Sequence, residues 1–242
     1  MPACTTMVEN ILKIERDAFL FLNGAHSPFW DNVMWLFTGK VVWIPIALLI
    51  IGVILYKKNW REWLLIFLAI ALVITLCDQL ASSFFKPTFE RFRPSHHPDF
   101  KDFVHTVGGY RGGRYGFISS HACNAFGFAT FLSLLFRYRW FSLTIFGWAV
   151  LMSYTRIYLG VHFLSDIIPA AILGVGIGYL VFLLYKFVRK KILQWSSNYV
   201  AVSGNALAYS YARQHLVIAG IFLTIAFILI FHVPLMNQLY AA

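Results

Sequence analysis

The chain has 242 residues, 60% of them hydrophobic and only 12% charged, with a formal net charge of +10 and a mean hydropathy of +0.69. A soluble domain carries roughly a quarter charged residues, so an ordinary water-soluble globule is excluded and a single-domain polytopic membrane protein is expected. In so apolar a chain the basic balance does not signify nucleic acid. Lys and Arg beside membrane spans set topology and meet anionic head groups, and a basic site meets an anionic substrate.

Residues 1–28 carry Glu9, Lys13, Glu15, Arg16 and Asp17, so no secretory signal is expected there. Between 8 and 23, Val8, Ile11, Leu12, Ile14, Ala18, Phe19 and Leu22 recur at helical spacing among the charges. That pattern predicts an N-terminal amphipathic helix, lying at the membrane interface or docked on the protein. Six apolar runs follow, at about 32–56, 62–85, 117–136, 140–158, 162–186 and 214–233, each near the ~20 residues that cross ~30 Å of hydrocarbon. They predict an all-α bundle of six transmembrane helices, with Pro45 kinking the first. No internal repeat is visible.

Six spans put 57–61, 137–139 and 186–214 on one side. These segments hold Lys57, Lys58, Arg61, Arg137, Arg139, Lys186, Arg189, Lys190, Lys191 and Arg213, so that side is expected in the cytoplasm and both termini outside. Cys4, Cys77 and Cys123 form neither a disulfide framework nor a zinc motif.

Three polar clusters abut the apolar runs: Lys86-x6-Arg93-Pro94, Ser119-Ser120-His121 and Arg156-x5-His162-x3-Asp166. Lys86 ends one span, Ser119 begins the next, Arg156 ends another and His162 begins the one after. All four span ends fall on one side, so residues scattered over 80 positions are expected to converge at one depth.

Their chemistry suits a phosphate ester. Lys86, Arg93 and Arg156 supply cations for the equatorial oxygens, Arg as a planar fork and Lys as a point charge, enough to hold the anion without a metal. Ser119 and Ser120 stand at a helix start, where free N–H groups favour an anion. His162 and Asp166 share a helix face, so the carboxylate can orient the ring and leave its other nitrogen to attack. His121 is then the general acid. Isolated histidines and interfacial cations are usually structural, but the pairing with Asp166 and the convergence argue otherwise.

These clusters, in their order and spacing, resemble the tripartite signature of the type 2 phosphatidic acid phosphatase (PAP2) superfamily, which contains lipid phosphate phosphatases and vanadium haloperoxidases. The resemblance covers roughly 60–190. Ile118-Ser119-Ser120-His121 stands where the pattern usually has Pro-Ser-Gly-His, and Thr155-Arg156 where it has Ser-Arg; neither change removes a catalytic group. The resemblance implies that His162 forms a phosphohistidine, oriented by Asp166. His121 would protonate the leaving alkoxide and then activate water. Lys86, Arg93, Ser119, Ser120 and Arg156 would bind phosphate, and no metal or cofactor is implied.

The expectation is therefore one PAP2-like membrane domain over 1–242, placed in a bacterial inner membrane with its site facing the periplasm. It would be a lipid phosphatase acting on undecaprenyl diphosphate, a lipid A phosphate, phosphatidylglycerol phosphate or phosphatidic acid. Its partners would be that substrate and membrane lipids, not nucleic acid. The alternative is a small transporter or flippase for an anionic lipid, which would show midplane helix breaks and inverted repeats. Haloperoxidase chemistry on the same site is disfavoured by the spans.

Outside the clusters, His96, His97 and His105 are expected to be solvated loop residues. The run Gly108-Gly109-Tyr110-Arg111-Gly112-Gly113 is expected as a flexible rim near the site, with contact of Arg111 and Arg114 to a second phosphate or head group as the lesser reading. Asp78, an intramembrane carboxylate, is expected to pair with a site cation or a hydroxyl. Gly174, Gly176 and Gly178 are expected at a close helix contact.

Overall fold

The structure, a computed structural model, describes residues 15–194, 209 and 211–240. Residues 8–14 of the expected first helix, Cys4 and the polar stretch 196–205 lie outside the described residues. Among those described, regular structure is helical apart from one isolated antiparallel bridge between Phe92 and Tyr115.

The helices are α1 (15–23), α2 (Pro28–Thr38), α3 (Ile44–Leu55), α4 (Trp60–Gln79), α5 (Lys86–Phe89), α6 (Ser120–Phe136), α7 (Arg139–Tyr158), α8 (Leu164–Gln194) and α9 (Tyr211–Tyr240). A six-residue π-helical segment, Leu80–Phe85, joins α4 to α5 without a break. Capping sets several boundaries. Ser27 accepts from Trp30 N before α2, Asn59 from Arg61 N before α4, and Ser119 from Ala122 N before α6, each satisfying a donor that the first turn leaves open.

Among the described residues, three helices are long and apolar enough to cross a bilayer: Trp60–Phe89, Leu164–Ile192 and Tyr211–Gln238. A fourth follows if Pro28–Thr38 and Val41–Leu55 are one broken span. The chain is thus an all-helical integral membrane protein, but its first expected span is not one kinked helix. The two parts diverge by 65°, and the break is at Gly39–Lys40, where Gly39 turns extended, rather than at Pro45. Pro45 sits in the first turn of α3, where its missing N–H has no intrahelical partner to lose. Helix α6 has 17 residues, or ~25 Å at 1.5 Å per residue, the lower end of the length that crosses a bilayer.

Helices α6 and α8 pack backbone to backbone. A Cβ at Gly174 would strike the carbonyl of Cys123, and one at Gly178 the carbonyl of Gly127. Gly127 itself faces Cys77 Sγ and Val73 Cγ1, each 2.9 Å from where a Cβ would lie, so α4 closes on the same seam. Gly176 faces open space and is not part of this contact.

Helix α1 docks on the protein through one face: Glu15, Phe19 and Asn23 are buried while Phe21 is exposed. Asn23 donates to the carbonyls of His105, Ile157 and Tyr158 and accepts from His105 N, tying α1 to the turn after α7. Away from that turn, Lys58 and Arg189 meet Glu62, Tyr138 meets His215, and Gln214 donates to Phe136 O. The cation-rich short segments thereby gather at one end of the bundle, and the three polar clusters at the other.

Candidate active site

Lys86 begins α5, one turn after Ser82. Its Nζ donates to Ser120 Oγ at 2.8 Å and reaches Ser82 Oγ at 3.5 Å, and the two hydroxyls are 3.1 Å apart. The π-helical turn aims this side chain: the Lys86 N–H bonds to Ala81 O, five residues back. Such turns often occur at functional positions. Ser120 is the first residue of α6, so the ammonium and a helix start converge.

Arg93 arrives on an extended strip. Its N–H bonds to Arg114 O, and Gly116 N bonds to Arg91 O at 2.8 Å, so 91–93 and 114–116 run antiparallel. Buried, the guanidinium donates from Nε to Tyr115 O and from Nη1 to Val161 O and to His162 Nε2, the last at 3.2 Å. Gly112 (φ +66) and Gly116 are packed on this side chain; a Cβ on Gly112 would come within 2.9 Å of Arg93 Nη1. Burial, and then the charge of Arg156, lowers the Arg93 pKa.

Arg156, near the end of α7, is buried and donates to Thr38 Oγ1 at 2.8 Å and to Tyr110 OH at 3.4 Å. Its Nε is buried with no partner among the described residues. An unpaired buried donor of this kind is uncommon and leaves the fork one bond short.

His162 lies in the turn between α7 and α8, where Gly160 has φ +71. Arginine can only donate, so the Arg93 contact makes His162 Nε2 an acceptor and places the ring proton on Nδ1. That nitrogen faces Asp166 Oδ2 at 3.3 Å. Asp166 is fully buried and also accepts from Phe163 N. Burial first, and then Arg93, Arg156, Lys86 and Arg91, hold the His162 pKa well below the usual imidazole range. The ring is neutral, with its lone pair at Nε2.

Sequence reasoning missed the support behind Asp166. Arg91 Nη1 donates to Asp166 Oδ1 at 2.7 Å, and Arg91 Nη2 to Glu15 Oε1. Glu15 also accepts from Ser165 Oγ at 2.6 Å and from Ser165 N at 2.9 Å. Arg91, 2% exposed, therefore bridges two carboxylates and lies over the Phe163 ring at 4.6 Å. The sole signal was a second arginine inside the first cluster, two residues before Arg93.

A cavity of about 620 Å³ opens on this arrangement. Lys86, Arg93, Ser120, His121, Arg156 and His162 line it, and so does Tyr110. Asp166 and Ser119 stand behind the wall: Ser119 is fully buried, capping α6 and donating its N–H to Asp166 O at 3.1 Å. The eight expected residues therefore fall at one place, six facing the cavity and two supporting it.

The loop readings need correction. His97 is buried between Phe92 and Phe100 and accepts from Asp99 N, and His96 Nε2 meets Gly112 O at 3.2 Å. Neither is a free solvated ring; His105 alone is half exposed. The glycine-rich run is pinned by Ser95 Oγ to Arg111 O and carries Tyr110 to the cavity. Arg114 lies over the Phe92 and Tyr115 rings, and neither it nor Arg111 lines the cavity. Asp78 forms no hydrogen bond or ion pair with another described residue and instead faces the cavity.

Comparison with known proteins converges on the same region. The family model described as the PAP2 superfamily matches residues 62–190. A lipid A 4'-phosphatase of Porphyromonas gingivalis is 46% identical over 77% of this chain and 79% of its own length. One of Bacteroides thetaiotaomicron is 44% identical over 77% and 81%. Among solved structures, Aquifex aeolicus LpxE aligns with a TM-score of 0.53 at 27% identity, covering 70% of this chain and 95% of that one.

Proposed function

The chain belongs to the PAP2 superfamily and is a membrane lipid phosphatase, and from that premise we propose that it removes a phosphate from a lipid A-type glycolipid through a phosphohistidine at His162. The substrate class rests on the likeness to two lipid A 4'-phosphatases over most of the chain. Undecaprenyl diphosphate, phosphatidylglycerol phosphate and phosphatidic acid are the competing substrates. The observation that carries the mechanism is the tautomer of His162, with its proton on Nδ1 toward Asp166 and a lone pair at Nε2 beside Arg93.

The steps follow from these contacts. Phosphate enters among Lys86, Arg93 and Arg156. Arg93 turns from Nε2 to an equatorial oxygen, and the unpaired Nε of Arg156 takes another. The charge of the transferring group is then spread over fixed donors. Nε2 attacks phosphorus as the P–O bond to the lipid breaks, and His121, protonated once the bound phosphate dianion offsets the cations around it, gives its proton to the departing oxygen. The imidazolium formed is stabilised by Asp166. Neutral His121 next removes a proton from water, which attacks the phosphohistidine, breaks the N–P bond and returns His162 to its starting form. Phosphate leaves. Three cations and a helix start balance the anion, so no step requires a metal.

We place the protein in the inner membrane with the site on the periplasmic side, six spans crossing and the whole chain one domain, on the strength of the cation-rich segments at the opposite end of the bundle. The test is phosphate release by the purified chain, in EDTA, from a panel of lipid phosphates. A lipid A phosphate should be preferred, and His162→Ala should lose on the order of 10⁴-fold or more of kcat. Full activity in that variant would remove His162 as nucleophile; no release from any lipid would favour the transporter.

A further inference from the structure

Below the phosphate-binding cations the cavity continues between α3, α7 and α9, with walls such as Ile46, Ile50, Met152 and Ile221. Two polar side chains interrupt this apolar lining. Asp78 belongs to α4 and Asn124 to α6, and both face the cavity. Asp78 pairs with no other described residue. Asn124 makes no hydrogen bond with a described residue either, and its Oδ1 is buried without a partner among them.

Their position is set by helix geometry. Asn124 is three residues, about one turn, beyond His121. Asp78, Ser82 and Lys86 lie four apart and all face the cavity. In an uninterrupted α-helix, four-residue steps drift around the axis by about 40° each. The π-helical turn at Leu80–Phe85, with more residues per turn, opposes that drift and holds the three in one row. Asp78 lies two turns, about 12 Å, below Lys86 along the helix backbone at ~1.5 Å per residue, but the Lys86 ammonium reaches back to Ser82, so the charge itself stands one turn, about 6 Å, above Asp78.

A pure hydrocarbon tail at that depth would leave a carboxylate and an amide desolvated, which is costly. A carboxylate accepts only, and the oxygens of ester groups also only accept. An N–H or O–H on the lipid satisfies Asp78, and the Asn124 amide takes either partner.

Taking the cations above as the lipid-phosphate site, we infer that Asp78 and Asn124 form a second subsite that selects lipid phosphates carrying an amide N–H or hydroxyl near the phosphate, against lipids that are esters only. Discrimination arises because an ester-only lipid leaves these groups unpaired, whereas a donor-bearing one pairs them.

The test uses the full chain in detergent and two lipids of matched chain length, ceramide 1-phosphate (amide and hydroxyl donors) and phosphatidic acid (esters only), with kcat/KM read from phosphate release. The native protein should prefer the donor-bearing lipid by at least about tenfold. The ratio should fall toward one in Asp78→Ala and stay closer to native in Asp78→Asn, which keeps an acceptor. Equal rates in the native protein, or a ratio unmoved by Asp78→Ala, overturn the subsite. If Asp78→Ala does not fold, the ratio in Asn124→Leu decides in the same way. Release from neither lipid, nor from a lipid A phosphate, overturns the phosphatase reading of the site itself, a separate outcome from release at equal rates.

Discussion

Arg93 Nη1 and His162 Nε2 are 3.2 Å apart, and because the guanidinium has no lone pair to offer, it fixes which nitrogen of the histidine is free. Arg93 thus holds the ring in place, and in the mechanism proposed above it then turns to a phosphate oxygen. Arg93→Ala should lower kcat/KM by ~10²–10³-fold. Arg93→Lys should recover only part of that, since an ammonium cannot reach Tyr115 O, Val161 O and His162 together as the fork does. Steady-state kinetics on a lipid phosphate measures both, and full recovery by Lys would show that charge alone suffices.

Arg91 and Glu15 act through Asp166. Arg91→Gln and Glu15→Gln should each lower kcat by ~10–100-fold with KM little changed, since they loosen the carboxylate that orients His162 without touching substrate. The double variant should be little worse than either single one, because both break one chain of contacts. Parallel kcat and KM losses that follow a lowered Tm would instead mark a purely structural role.

The depressed pKa of His162 predicts how stability depends on pH. The folded ring stays neutral, whereas the unfolded ring gains a proton below about 6.5. The unfolded state therefore binds more protons at this residue as pH falls, and the contribution of His162 to stability declines by about 1.4 kcal/mol per pH unit below that point while its folded ring remains neutral. Half-exposed His105, whose pKa is also lowered, by burial first and then by His26, adds in the same direction. Thermal melting in detergent at pH 7.5 and 5.5 should show a smaller drop for His162→Gln than for the native chain. Equal drops would count against a neutral His162.

The α6–α8 seam separates glycines that look equivalent in sequence. Gly174→Ala should cost ~1–3 kcal/mol, the range of overpacking, because its Cβ meets the Cys123 carbonyl, which cannot move aside. Gly176→Ala, in open space, should leave Tm unchanged or slightly raised. A melting scan of the two variants is sufficient.

Much of the site was legible because its residues are chemically out of place: cations and histidines at the edge of hydrocarbon declare themselves, and their helix ends could be assigned to one side. Arg91 carried the same signal as Arg93 but not its spacing, so nothing marked its different task. Glu15 was invisible as a site residue because its partner Ser165 is 150 positions away and surface helices carry such carboxylates routinely. The grouping of the three glycines failed at Gly176 because the sequence spacing does not say which face meets α6. The break at Gly39–Lys40 was misassigned to Pro45 because proline is the commoner kink, and only the observed start of α3 shows that this proline needs no partner. The burial of His97 came from the folding of loop 91–116 onto itself, which no periodicity announces.

The π-helical turn at Leu80–Phe85 sets the direction of Lys86 through the winding of the chain rather than through any one side chain. Were the same six residues to wind as an ordinary α-helix, Lys86 would swing about 100° around the axis, away from Ser120, with every side chain still present. Loss of one residue from the stretch would let it close to an ordinary α-helix with Lys86 on nearly the same face, so a one-residue deletion here is the milder change and an insertion the harsher one.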